Sequence, residues 1–315
     1  MLDFRFETFL TLCQLRNYTK TAARLHITQP AVTQHIQHLE RHYSCKLFNN
    51  KGKALSLTAG GKRLYDFALT MRADAEKIRI SLLEEEQEEH ALCFGATLSI
   101  GEYVLPPILA EMLQGNPRLQ PTMYVGNTKT LLAMLDAGKI DFAFLEGIFD
   151  KREYHSQMFS RERFVPVCGA SSSLAGRTVE FEELLEHRLI LREKGSGTRE
   201  IFEQILVENN MRLSHFSRIC EVGNMSAIKQ LVAGNTGVTF LYHVAARAEL
   251  DSGRLRLIDI DGMNTVREFN FVFLKNSLHE NEYQECFARF RDIRHRMMGN
   301  LSHEYAPLFR KNESL

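Results

Sequence analysis

The chain has 315 residues, 39 Lys/Arg against 39 Asp/Glu, and 44% hydrophobic residues. That length exceeds one ordinary domain, and the neutral total excludes a uniformly basic or acidic polypeptide. No apolar run approaches the ~20 residues of a membrane helix, and the N-terminus is not signal-like, so a cytoplasmic, non-secreted protein without membrane contact is expected.

The neutral balance hides an asymmetry. Residues 1–63 hold ten Lys/Arg and three acids, a net of +7, which leaves −7 for residues 64–315. A basic first fifth on a neutral chain is the electrostatic footprint of a nucleic-acid module. Phe6, Phe9, Leu10 and Cys13 make a helical stripe. Thr19 is read as the N-cap of a second helix whose Ala22, Ala23 and Leu25 form a small apolar face. Thr28 caps a third helix, with Pro30 in its first turn, where a missing N–H costs little. Val32, Ile36 and Leu39 are its apolar stripe. Its other face carries Gln29, Ala31, Thr33, Gln34, His35, Gln37 and His38. Gln bonds bidentately to adenine edges, and Ala packs on a thymine methyl. Residues 47–57 read as a strand, a turn containing Lys51 and Lys53, and a second strand. That is a β-wing whose lysines reach phosphates. The bland alternative is a three-helix bundle with a solvated face; the charge asymmetry favours DNA.

Thr58 then caps a long helix. Leu64, Ala68, Met71, Ala75, Ile78 and Leu82 recur every 3.5 residues, which is a coiled-coil seam. The seam predicts pairing with a second copy; the alternative is a helix lying on its own domain. The acidic run 84–89 reads as a solvated hinge.

From residue 91 strands and helices alternate. Strands are predicted at 92–96, 122–125, 142–145, 164–167, 189–191, 217–221 and 237–241. Helices are predicted at 101–114, 128–137, 180–186, 197–209 and 224–233. Such alternation predicts an α/β fold with parallel sheets, and about 225 residues predict two subdomains. Loops at the carboxyl ends of open α/β strands bind ligands. Here those loops hold Thr97 and Ser99, Asn127 and Thr128, Glu146, Lys194 to Thr198, and Asn224. The loop 194–199 has hydroxyls, exposed N–H groups and two cations, which suits an anion. Each Ser, Thr or Asn alone reads equally as a helix cap. Glu146 reads as an acceptor for an ammonium or hydroxyl, or as a residue orienting Lys194 or Arg199.

The six cysteines are scattered, with no CxxC and no Cys/His cluster, so they are expected to be reduced core residues and no metal or cofactor is expected.

Two stretches resemble a known family. FETFLTLCQLRNYTKTAARLHITQPAVTQHIQHLERHYSCKLFNNKGKALSLTAGGKRL resembles the DNA-binding domain of the LysR-type transcriptional regulators. The resemblance runs through the paired alanines, Thr-Gln-Pro-Ala-Val, Leu-Glu at 39–40, Lys-Leu-Phe at 46–48 and Leu-Thr-Ala-Gly at 57–60. GATLSIGEYVLPPILAEM, DFAFLEG, LREKGSGTREIFE and VGNMSAIKQLVAGNTGVTFL resemble the same family's effector-binding domain. The resemblance implies an N-terminal winged helix-turn-helix (1–58), a linker dimerisation helix (59–89) and an effector domain similar to periplasmic binding proteins (90–315). Subdomain I is expected at about 90–161 and 267–315, and subdomain II at about 162–266. The implied DNA-facing set is Thr19, Lys20, Thr28, Gln29, Pro30, Ala31, Thr33, Gln34, Gln37, Lys51 and Lys53. The implied effector set is Thr97, Ser99, Asn127, Thr128, Glu146, Lys194, Ser196, Gly197, Thr198 and Asn224. Implied partners are promoter DNA, further copies of the chain, a small anionic inducer and RNA polymerase. The chain departs from the family where arginines are common, at Gln34, Asn49 and Asn50. Peroxide-sensing members pair two nearby cysteines, which this chain lacks. The alternative is an α/β enzyme or a solute-binding protein carrying an accessory DNA module.

Overall fold

A computed structural model describes residues 3–49, 55–83 and 91–309. Helices α1 (Phe4–Leu15), α2 (Tyr18–Leu25) and α3 (Gln29–His42) open the chain. Asn17, not Thr19, caps α2, accepting the Lys20 N–H. Asn caps at least as well as Thr, and it lies two residues earlier. Thr28 does cap α3, accepting from the Ala31 N–H at 3.3 Å. Phe9, Leu12, Ala22, Val32, Ile36 and Leu39 close into one core with Leu47 and Leu64. Strands β1 (Phe48–Asn49) and β2 (Ser56–Leu57) pair antiparallel as a wing. The turn between them, with Lys51 and Lys53, lies outside the described residues.

Helix α4 (Ala59–Leu83) follows. The Thr58 hydroxyl donates to the Lys46 carbonyl at 2.6 Å and accepts from the Gly61 N–H at 2.9 Å. Gly61 is thereby held so close to Leu47 that an added Cβ would collide with the Leu47 carbonyl oxygen. The predicted seam divides. Leu64 and Ala68 are buried, Ala68 together with Leu10 and Leu69. Met71, Ile78 and Leu82 are exposed, as is Phe67. A neighbouring stripe docks on the larger domain. Thr70 donates to the Lys275 carbonyl (2.9 Å), Arg72 to the Asp136 carbonyl (3.2 Å), and Asp74 accepts from Ser277 and from the Leu278 N–H. Lys77 pairs with Asp141 and Glu282.

The larger domain runs β3 (Ala91–Thr97), α5 (Leu98–Tyr103), α6 (Leu105–Gly115), β4 (Gln120–Gly126), α7 (Thr128–Asp136), β5 (Phe142–Leu145) and β6 (Tyr154–Gly169). It continues with β7 (Thr178–Val179), a 3-10 turn at Phe181–Glu186, β8 (Arg188–Leu191), α8 (Gly197–Glu208), β9 (Arg218–Glu221) and α9 (Met225–Ala233). Then come β10 (Val238–Tyr242), α10 (His243–Asp251), β11 (Leu255–Leu257), β12 (Asp259–Ile260), β13 (Thr265–Leu274) and α11 (Glu280–Phe309). The predicted helix 101–114 is thus two helices; Pro106 and Pro107 begin the second, where proline is tolerated and cannot continue the first.

Among the described residues one sheet has the order β4-β3-β5-β13-β6-β10-β8-β9, with β11 beside β6. The pairs of β3 with β4 and β5, and of β8 with β9 and β10, are parallel, as predicted. The long β6 and β13 are antiparallel to each other and to their neighbours, so the sheet is mixed. The chain passes between the two halves along these two strands, where Phe164 pairs with Thr265. Phenylalanines fill both halves: Phe94, Phe142, Phe144 and Phe271 in one, Phe164, Phe202 and Phe240 in the other. Each buried ring removes a large apolar area from water.

Replacing Gly61 by Ala should lower stability by about 3 kcal/mol, the upper range for overpacking. Gly115, at the end of α6 with nothing within 4 Å of an added Cβ, is the matched control. Thermal unfolding of both variants decides; equal midpoints would refute the close approach at Gly61.

Candidate functional site

The first surface is the outer side of α3. Gln29, Pro30, Gln34, Gln37 and His38 are exposed, and Ala31 and Thr33 half-exposed. Gln29 Nε2 donates to Thr33 Oγ1 at 3.2 Å, which holds the two side chains together on one face. Lys20 and Thr19 are exposed on α2 beside it. His35 is not on this face. Its Nδ1 lies 2.9 Å from Thr8 Oγ1 and its ring meets Phe4 edge-on, so it fixes α3 to α1. Glu40 also serves the frame: Oε1 accepts from the Leu47 N–H (3.0 Å), and Oε2 pairs with Lys46. The exposed side chains on α3 are hydrogen-bonding rather than charged, apart from Arg41 at its end, which donates to the Gln37 carbonyl (3.3 Å).

The second site lies between the subdomains. Thr97, Ser99, Thr128, Glu146, Ser196, Gly197 and Thr198 are all buried. Glu146 is their hub, 1% exposed at the end of β5. Its Oε1 accepts from Ser99 Oγ (3.1 Å) in one subdomain and from Thr198 Oγ1 (3.2 Å) in the other. Its carbonyl accepts from Thr128 Oγ1 (2.8 Å), and its N–H donates to Thr97 Oγ1 (3.2 Å). Gly147, with φ of +93°, brings the backbone to 3.0 Å from Gly197, measured from where a Cβ would stand. Only glycine adopts that φ without strain. Leu98 and Tyr103 of α5 pack on the second subdomain, so the cleft is shut.

Three predicted residues stand apart from this cluster. Lys194 and Asn224 are exposed, and Asn224 caps α9 through the Ala227 N–H. Asn127 is half-buried and caps α7 through the Thr130 N–H. Arg199 turns to Glu203 (2.7 Å) and Glu221 (2.6 Å), so Glu146 orients neither it nor Lys194. Two residues escaped the sequence reading. Arg192 follows β8 directly, 6% exposed, with Nε and Nη2 on Glu193. Tyr242 ends β10, fully buried. Among the described residues, Arg192 Nη1, the Tyr242 hydroxyl and Glu146 Oε2 are buried without a hydrogen-bond partner. Orphaned buried polar atoms are costly and mark places where something else supplies the partner. The signal in the sequence was their position, at the carboxyl ends of parallel strands.

Burial raises the Glu146 carboxyl from 4.5 to about 7, opposed by the Ser99 and Thr198 hydrogen bonds and by the Arg192 charge. Burial, and then the charge of Glu146, pushes the Tyr242 phenol well above its ordinary value. Among the described residues no His/Cys/Asp/Glu group could hold a metal. The cysteines are unpaired; Cys168 is buried and the other five half-buried, so they are less central than expected. Burial pushes Cys13 up to about 12 and Cys93 up to about 11, far from a reactive thiolate.

A winged helix-turn-helix joined to a hinged α/β ligand-binding unit defines a DNA-binding regulator with an effector domain. Residues 5–62 match the bacterial regulatory helix-turn-helix protein, lysR family, and residues 85–293 match the LysR substrate binding domain. The chain belongs to the LysR family of transcriptional regulators, which is not enzymatic. The enzyme and transport alternatives therefore fall away. It is 30% identical over 251 residues to the HTH-type transcriptional regulator YeiE of Escherichia coli K12, covering 80% of this chain and 84% of that one. It is 27% identical over 268 residues to CysL of Bacillus subtilis, covering 84% and 89%. An OxyR mutant of Corynebacterium glutamicum shares the fold, with a TM-score of 0.58 at 21% identity over 94% of this chain and 93% of that one. So does the CcmR regulatory domain of Synechocystis PCC6803 in complex with 2-PG, with a TM-score of 0.58 at 22% identity, covering 64% and 96%. No helix among the described residues is long and apolar enough to cross a membrane.

Between pH 4.5 and about 7 the folded chain keeps a proton at Glu146 that the unfolded chain has lost. Stability at this group is therefore greatest below pH 4.5, falls as pH rises through the window by about 3 kcal/mol, and levels off above it. Asp136, raised to about 6 by burial, adds in the same direction. Glu146→Gln removes only the first contribution. Denaturant unfolding of both proteins across pH 4–8 reads the difference, and a flat difference would overturn it.

Proposed function

We propose that this protein reads promoter DNA as a dimer or tetramer in the cytoplasm and changes its grip when a small anionic metabolite binds between its subdomains. The observation that carries this is the pairing of an open, hydrogen-bonding α3 face with a buried polar cluster shared by two subdomains. On this reading the domains are 1–58, 59–89 and 90–315, with subdomain II at about 162–266. Gln29, Pro30, Ala31, Thr33, Gln34 and Gln37 meet base edges. Thr19, Lys20, Thr28, Lys51 and Lys53 meet the backbone. Thr97, Ser99, Thr128, Glu146, Ser196, Gly197 and Thr198 line the effector site, with Asn127, Lys194 and Asn224 at its mouth. Arg192 and Tyr242 join them. The 2-PG held by the CcmR regulatory domain is an anion, which supports an effector of that class. Contact with RNA polymerase belongs to the same reading.

Phe67, Met71, Ile78 and Leu82 form one exposed apolar stripe on α4, at spacings of four, seven and four. A second copy covers such a stripe and doubles the reader on two half-sites. Ile78→Lys with Leu82→Lys should shift the protein toward monomer in light scattering after size exclusion. An unchanged mass would remove α4 from the interface.

Gln34→Ala should weaken binding to the promoter region of its own gene by about 5–150-fold, the worth of one good base contact. Ser99→Ala and Thr198→Ala should leave basal DNA binding intact and blunt the effector response. Gel shifts at fixed salt test both; identical phenotypes for the two kinds of variant would contradict the division of labour.

A further inference from the structure

The Glu146 carboxyl occupies a position with the features of a ligand's anion seat. Ser99 comes from one subdomain and Thr198, in the first turn of the twelve-residue α8, from the other; both donate to the same oxygen. Helix N-termini favour negative charge. The seat is only half used. A carboxylate has two oxygens and about four acceptor positions. Glu146 meets two donors with Oε1 and none with Oε2. Arg192 Nη1 and the Tyr242 hydroxyl, both on residues more than nine-tenths buried, remain unpartnered at the same strand ends. Thr97 and Thr128 pin the Glu146 backbone, so its carboxyl reaches only as far as two methylenes allow. An untethered carboxylate has no such limit. Arg192 is the cation whose charge acts on Glu146, and with Nε and Nη2 on Glu193 it keeps Nη1 as a charged donor for an anion's oxygen.

We propose that Glu146 stands in for the effector's own carboxylate, so the effectors of this protein are small monocarboxylates that displace it from Ser99 and Thr198 and engage Arg192 and Tyr242. This rests on the cleft being the effector site. In the ligand-free protein the stand-in holds the two subdomains shut; the effector exchanges an internal bridge for its own.

Removing the stand-in and supplying a free carboxylate tests this. The full-length Glu146→Ala protein should melt below the wild type. Sodium acetate should raise its midpoint by about 3 °C beyond an equal concentration of sodium chloride, as expected for near tenfold saturation of a new site. The wild type should gain less. Glu146→Ala combined with Thr198→Val should gain nothing beyond chloride. Equal gains in wild type and Glu146→Ala, or a gain that survives loss of Thr198, would overturn the proposal. A larger gain from inorganic phosphate than from acetate would overturn the carboxylate class. Should Glu146→Ala not fold, Glu146→Asp with formate asks the same question, since one methylene fewer withdraws the carboxyl from both hydroxyls. A metabolite that still binds wild type but not Ser99→Ala, with no acetate gain in Glu146→Ala, would sink the stand-in alone. Metabolite binding unaffected by Ser99→Ala would instead sink the cleft as the effector site.

Discussion

The architecture turns on the antiparallel pairing of β6 with β13. Ten residue pairs, from Thr265 with Phe164 to Leu274 with Tyr154, form the ribbon through which the chain leaves one subdomain and re-enters it. A register irregularity at Phe269 and Asn270 interrupts it. Two strands twist more easily than a wide sheet. A cavity of about 260 Å³, lined by Arg163, Phe164, Asp259 and Thr265 among others, lies beside the crossing. Ser99 and Thr198 lie on opposite sides of the ribbon, joined through Glu146.

The DNA-binding end obeys a different constraint. Its core is built from residues that also fix geometry: Glu40 ties the end of α3 to Leu47, Thr58 ties the wing to α4, and His35 ties α3 to α1. What remains free on α3 is mainly amide and hydroxyl. Affinity that rests less on phosphate charge responds less to salt. On the proposed reading, specificity rests on Gln29, Thr33 and Gln34, the first two joined by their own hydrogen bonds.

Legibility in the sequence followed the physics of each element. Buried parallel strands such as Phe142–Leu145 are unbroken apolar runs with sharp ends, and their limits could be read to within a residue or two. The first half of β6 could not. His155, Ser156, Gln157, Arg161 and Glu162 make that half of the strand polar on both faces, and its apolar residues alone look like a short strand from Phe164. The beginning of α2 was misplaced because Asn17 and Thr19 are both good caps, and local chemistry does not rank them. In the cleft, hydroxyls at strand ends were legible by position. Arg192 and Tyr242 were not, because each ends a run of buried apolar residues and neither has a capping role to draw the eye. Which loops pointed inward, and which merely capped a helix, depended on tertiary placement that no local pattern carries.

One short helix joins the two ends of the molecule. Thr128, at the start of α7, holds the Glu146 carbonyl, and Asp136, at its end, accepts Arg72 of the long α4. Arg72 also lies 3.7 Å from Glu7 in α1. An α-helix rises about 1.5 Å per residue and resists shortening. Leu131 and Leu135 seat α7 against the sheet, so it cannot bow to absorb a push. It is a rigid strut packed on that sheet. Its nine residues span from the loop at Glu146 to the guanidinium that touches the DNA-reading head.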